Sequence, residues 1–334
     1  MDTARATMER IKDDPVEFFV FGGAEETESA TAVVDELFQP ESTIQCSSAS
    51  VHANQGPRNY MEDTYFISKD GVFFGVFDGH GGSGVSNFLQ EATYDFLVRN
   101  IASQGSFLGH SSKSLYGKDI PSAATTAFAE LQGIIAAEPK YDYEGSTAVC
   151  VLLDNDKIWS VNVGDSRAVL CRGGQAVDLT EDHKPNSDTE RARIIALGGV
   201  VEWFGWQDAD GRPVESMGSW RVNGNLGLSR AMGDRLEAPC ISAEPDVRCK
   251  YRVASEDQFI ILASDGLWDV FSSQEAVDFV KEALTSNIKS SEYGDATAMT
   301  NAFDKRHSRM GRLLVEEALR RGTLDNTTAI VVWL

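Results

Sequence analysis

The rhythm of apolar and polar residues changes several times along this chain, and each rhythm predicts an element. Residues 72–77 are a continuous apolar run, which reads as a strand buried on both faces. Residues 64–68 read as its partner across the turn Lys69-Asp70-Gly71. Beyond Asp78 the spacing lengthens. Val85, Phe88, Leu89, Ala92 and Phe96 recur at helical intervals, and that helix is expected to end near Asn100. Ala124, Ala127, Phe128, Leu131 and Ile135 give a second amphipathic helix, with Pro121 near its start. Strands are expected at 146–153, 157–163 and 167–171, separated by the turn signals Asp154-Asn155-Asp156 and Gly173-Gly174. Ser187 and Glu190 have the spacing of a capping box, opening a helix that stops at Gly198-Gly199. Ser272 and Glu275 repeat that spacing before a helix through Leu284. Residues 259–263 and 328–334 read as strands, and a last helix ends at Gly322.

Elsewhere the pattern is weaker. Residues 1–44 are acidic and loosely patterned, with a short strand at 16–21 and a polar stretch at 25–38. They are read as a partly docked extension, and 45–334 as one domain. Residues 105–118 are rich in Gly and Ser, and 285–303 are polar; both read as loops. Residues 200–225 carry Trp203, Trp206 and Trp220 without a clear period and read as a flap, the insertion running from about 186 to 225. The tryptophans fit either flap core or a partner surface, and core is the simpler expectation. Strands come in meander-like groups with helices between groups, which is α+β: two packed sheets flanked by helices.

Charge narrows the function. The formal net charge is −21, which argues against nucleic acid or an anionic membrane as a partner. It fits plain solubility, or acids crowded around a cation. The five cysteines form no C-x-x-C and are odd in number, as expected of free thiols in a reducing compartment, cytoplasmic or nuclear. No stretch is long and apolar enough to span a bilayer, and the first residues lack the apolar core of a signal peptide. A monomer is expected.

Acids recur at strand ends. Glu62 and Asp63 precede the 64–68 strand, Asp78 ends the 72–77 strand, and Asp165 follows 157–163. Asp265 ends 259–263, and Asp325 precedes the last strand. One Asp in a turn is ordinary. A set of carboxylates gathered together repels unless a cation holds it, and all-oxygen ligands without a Cys or His cluster suit Mg²⁺ or Mn²⁺. Zinc spacings are absent. Gly79-His80-Gly81-Gly82-Ser83-Gly84 matches G-x-G-x-x-G, but Asp78 would set a negative charge against a pyrophosphate, and a Gly/Ser loop follows where a second strand is needed. There is no Walker loop and no Gly-x-Ser-x-Gly elbow. The residues alone therefore point to hydrolysis or phosphoryl transfer on hard metals.

Eight segments stand in a telling order. They are Arg58-Asn59-Tyr60-Met61-Glu62-Asp63, Asp78-Gly79-His80-Gly81-Gly82, Gly145-Ser146-Thr147-Ala148, Gly164-Asp165-Ser166-Arg167-Ala168, Asp182-His183-Lys184-Pro185, Leu228-Ser229-Arg230-Ala231-Met232-Gly233-Asp234, Ala263-Ser264-Asp265-Gly266-Leu267-Trp268-Asp269 and Asp325-Asn326-Thr327-Thr328. From about residue 50 onward the chain resembles the metal-dependent serine/threonine protein phosphatases of type 2C. The resemblance implies a four-layer αββα sandwich of two antiparallel sheets between helices, and a signalling enzyme that acts on phosphoproteins. It implies two Mg²⁺ or Mn²⁺ ions, held by Asp78, the Gly79 carbonyl, Asp265 and Asp325, with Glu62 and Asp63 helping partly through water. Asp165 and Asp269 match acids linked to a weaker third ion. By the same resemblance, a metal-bridging hydroxide attacks phosphorus directly, without a phosphoenzyme, while Arg58 clamps phosphate and His80 protonates the leaving oxygen. Asp182-His183-Lys184-Pro185 is given no chemistry, Asp234 is expected to order its turn, and Met61 to pack. A pseudophosphatase that only binds proteins remains the alternative, though the intact acids speak against it.

Overall fold

The computed structural model describes residues 18–19, 48–104, 118–285 and 306–334. Most of the acidic extension, the 105–118 loop except Lys118, and the 285–303 loop except Thr285 lie outside the described residues.

Each sheet is antiparallel throughout. Five strands run in the order Asp246–Tyr251, Lys157–Val163, Ala148–Asp154, Phe73–Phe77, Thr64–Ile67. Six run in the order Phe18–Phe19, Ala49–Asn54, Thr327–Trp333, Asp257–Ala263, Arg167–Arg172, Gln175–Asp178. The two sheets stack face to face. Phe74, Val76, Val149 and Val151 meet Leu170, Ile260, Leu262 and Ile330 in one buried cluster.

The opposite faces of the same strands are buried too. Phe73 and Phe77 pack under the helices Gly84–Ser103 and Ile120–Ala137. Phe259 and Ile261 pack under Ser273–Thr285 and Met310–Arg321. The fold is thus α+β, a four-layer αββα sandwich. A strand between two apolar layers cannot alternate, which is why its sequence reads as an unbroken apolar run.

Local sequence accounts for several helix ends. Asp119 accepts the Ser122 N–H at 3.1 Å, with Pro121 in the first turn. Ser272 and Glu275 make the expected capping box: the Ser272 N–H and hydroxyl both donate to Glu275. The Ser187 and Glu190 box does not form, although the helix Asp188–Ala196 does. The Glu190 carboxylate is drawn instead to Arg193 and Arg230, at 2.8 and 2.7 Å, because two guanidinium partners outbid one capping N–H.

The flap has more order than its sequence suggests. Val201–Gln207 pairs antiparallel with Pro213–Val222, and Trp203 meets Trp220 edge to face at 5.7 Å. Trp220 packs on a small core that includes Ile194, Val222 and Leu228. Trp206 departs from the core expectation: it is 72% exposed. It lies in the register irregularity between Gly205 and Gln207, which carries it beyond the packed part of the hairpin.

Candidate active site

The chemistry collects where strands of both sheets end. Phe73–Phe77 delivers Asp78, Lys157–Val163 delivers Asp165, and Asp257–Ala263 delivers Asp265. Asp63 and Asp325 stand just before Thr64–Ile67 and Thr327–Trp333. Antiparallel stacking thereby turns acids far apart in sequence into neighbours.

Asp78 is held by its backbone. Its N–H donates to Thr147 Oγ1 at 3.2 Å, its carbonyl accepts the Thr147 N–H at 2.8 Å, and Thr147 Oγ1 meets Ser166 Oγ at 2.7 Å. Next to it, Gly79–His80 pairs with Gly145–Ser146, which pairs with Met232–Gly233. A Cβ at Gly79 would stand 2.5 Å from the Glu62 carbonyl oxygen, so only glycine lets these segments approach.

Mutual repulsion marks the cluster. Burial, then the charges of Asp63, Asp265, Asp165 and Asp325, push the Asp78 carboxyl well above its usual range. Burial, then Asp165 and Asp269, do the same to Asp265. Asp63 is pushed up to about 6, chiefly by burial, although its Oδ2 accepts from Ser264 Oγ at 2.8 Å. Its Oδ1 is buried without a hydrogen-bond partner. An orphaned carboxylate oxygen beside other unbalanced acids, all offering oxygen donors, fits a hard divalent cation. Among the described residues no group of three or more Asp, Glu, His or Cys side chains stands ready to hold a metal ion. Two acids are held instead by cations of the chain: Asp325 by Arg58 at 2.5 Å, and Asp165 by Lys184 at 2.5 Å.

The expected residues fall as follows. Asp63, Asp78, Asp265, Asp325 and Asp165 act on one another electrostatically. Asp269 is exposed at the edge, facing Lys184 and Asp165. Glu62 lies near His80, and its N–H donates to Asn326 Oδ1 at 2.8 Å. Arg58 reaches the site through Asp325, with Nε donating to the Leu324 carbonyl at 3.1 Å.

Three residues do more than their sequence suggested. Asp234, expected only to order a turn, bonds His80 Nε2 through Oδ2 at 2.8 Å. It sits in the left-handed region at φ 45°, with its N–H on the Glu144 carbonyl. A Cβ at Gly145 would collide with both partners. Burial opposes charge on His80, but the Asp234 carboxylate outweighs it and raises the imidazole above its ordinary pKa. Asn326 ties the 55–62 loop by donating to the Gln55 and Tyr60 carbonyls. Lys184, given no chemistry, reaches Asp165. For Asp234 the available signal was its place at the end of a motif already singled out, and for Asn326 its place inside one.

The sequence profile described as Protein phosphatase 2C matches residues 47–327. The chain belongs to the protein phosphatase 2C family. "Probable protein phosphatase 2C 59" of Oryza sativa subsp. japonica is 35% identical over 287 residues, covering 84% of this chain and 73% of that protein. "Probable protein phosphatase 2C 71" of Arabidopsis thaliana is 36% identical over 288 residues, covering 84% of this chain and 54% of that protein. The chain thus spans about half the length of that second protein 2C relative. A serine-threonine phosphatase 2C structure from Toxoplasma gondii shares the fold: TM-score 0.62, 24% identity, 88% of this chain and 96% of that one. Among the described residues no helix is long and apolar enough to cross a membrane.

Proposed function

We propose that this chain is a Mg²⁺- or Mn²⁺-dependent protein serine/threonine phosphatase that hydrolyses phosphoserine and phosphothreonine without a phosphoenzyme. The observation that carries this reading is the set of mutually destabilised strand-end acids, with an orphaned Asp63 oxygen, beside an imidazole braced by a buried carboxylate. Asp78, the Gly79 carbonyl, Asp265 and Asp325 would hold the ions, with Glu62 and Asp63 assisting. Bound there, such ions make a water nucleophilic near neutral pH and offset phosphate charge.

The remaining work falls to the chain. The Arg58 side chain is half exposed, and its planar fork suits two phosphate oxygens once it leaves Asp325. Asp234 occupies His80 Nε2, so Nδ1 is the atom left to give a proton to the departing seryl or threonyl oxygen. Water adds across the P–O bond: hydroxyl goes to phosphorus, the alcohol leaves with the proton from His80, and the proton given up by the water restores His80 through solvent. The substrates are phosphoproteins, met by a monomer in a reducing compartment, where the described cysteines stay free.

A phosphothreonine peptide assay tests this. Hydrolysis should stop in EDTA and return with Mn²⁺. Full turnover in excess EDTA overturns the metal-dependent reading, and no turnover with Mn²⁺ bound favours a protein that only binds phosphoproteins.

A further inference from the structure

Lys184 is anchored at its backbone and ion-paired at its tip. Arg167 grips Asp182 with two hydrogen bonds, at 2.9 and 2.7 Å. His183 locks onto Gly164 in both directions: its N–H donates to the Gly164 carbonyl, and its Nδ1 accepts the Gly164 N–H, each at 3.0 Å. The His183 carbonyl accepts from Ser229 N–H and Oγ, each at 2.9 Å. Lys184 therefore leaves a loop pinned to Gly164, the chain neighbour of Asp165. Its Nζ lies 2.5 Å from Asp165 Oδ2, and Asp265 and Asp269 also act on its charge.

The two ends of this pair differ. The Asp165 side chain is only 6% exposed, so it cannot leave; the Lys184 side chain is 38% exposed, on a flexible four-carbon stem. An ammonium can swing to water while its carboxylate stays. Without that ammonium, three acids would face one another there with only the Arg167 guanidinium nearby, and that group is already committed to Asp182.

We propose that Lys184 is a built-in cation of the Asp165, Asp265 and Asp269 corner, which a divalent ion entering that corner must displace. Lys184 then sets how weakly the last ion binds. It also keeps the metal-free protein from bearing three unbalanced acids. This rests on the metal-dependent reading above, and it differs from it in concerning competition for a site rather than catalysis.

The test is calorimetric titration of the full chain with Mn²⁺, alongside Lys184→Met, Lys184→Gln and Lys184→Arg. Loss of the competing charge should tighten the weakest Mn²⁺ site about tenfold in the Met and Gln variants and leave tighter sites unchanged. The Arg variant, which keeps a cation, should not tighten it. In EDTA the Met and Gln variants should melt below the parent, and Mn²⁺ should erase the difference. An unchanged or weakened last site in both neutral variants, with native circular dichroism, overturns the proposal. No Mn²⁺ binding in any protein overturns it together with the metal-dependent reading. The tenfold shift in a protein that fails to hydrolyse phosphopeptide supports Lys184 displacement and overturns only the catalytic reading.

Discussion

Glu190, under the flap, and Asp63, at the strand ends, are both buried acids, and their surroundings treat them in opposite ways. Burial pushes Glu190 up, but Arg230 and Arg193 outweigh it, and the carboxyl is held down to about 2. Asp246, with His183 Nε2 3.5 Å away and Arg230 and Arg248 nearby, is likewise held down to about 2. Asp63 has a hydroxyl partner on one oxygen and none on the other, and it sits at about 6. Where the chain supplies enough positive charge, a buried acid is structure. Where it withholds that charge, folding leaves a debt that an ion from solution can settle. Asp165 and Asp325 are each paired with one cation of the chain.

The largest test of that contrast is Asp78→Asn. It should lose nearly all turnover, on the order of 10⁴-fold, because the charge meant for the ions is gone. In EDTA the same change should raise the melting temperature by several degrees, since one repelling charge has been removed. A drop in both quantities would show that Asp78 is matched like Glu190, and the contrast would fail.

His80 with Asp234 is a third kind of match, an acid paired with a group that can give its proton away. His80→Ala should cost about 10²–10⁴-fold on a phosphoserine peptide and far less on p-nitrophenyl phosphate, whose leaving group needs no proton. Asp234→Asn should follow the same direction with a smaller loss. Equal losses on the two substrates would make the pair purely structural.

Glu190→Gln probes the matched side. It should destabilise the fold by roughly 3 kcal/mol at pH 7, leaving two arginines short of a partner, while Mn²⁺ affinity stays unchanged. The pH course has a definite sign. The folded value of about 2 lies below the ordinary 4.5, so this stabilisation is present above pH 4.5 and drains away as pH falls towards 2. Urea titrations across that window should therefore show a steeper loss for the parent than for the variant.

Much of the frame was legible because burial leaves a local mark. The unbroken apolar run at 72–77 and the helical spacing of Val85, Leu89 and Phe96 each report one element's neighbours, and the elements formed where those patterns lie. The strand-end acids were visible for the same reason: a polar residue after a buried run must sit where the sheet stops. The capping boxes show the boundary of that logic. Ser272 and Glu275 face solvent, and local chemistry decided their bond. Ser187 and Glu190 had the same spacing, but Arg230, distant in sequence, was brought within 2.7 Å and took the carboxylate.

The sequence by itself determined the layers, the family, and which acids end strands, because each depends on residues within one element or on motifs in a fixed order. Only the tertiary structure decided which charges meet. It brought Asp234 to His80, Lys184 to Asp165 and Arg58 to Asp325, and it left one Asp63 oxygen without a hydrogen bond. Electrostatic energy depends on distance through space and on how much water remains between charges. Neither is written in any stretch of chain until the two sheets have closed on each other.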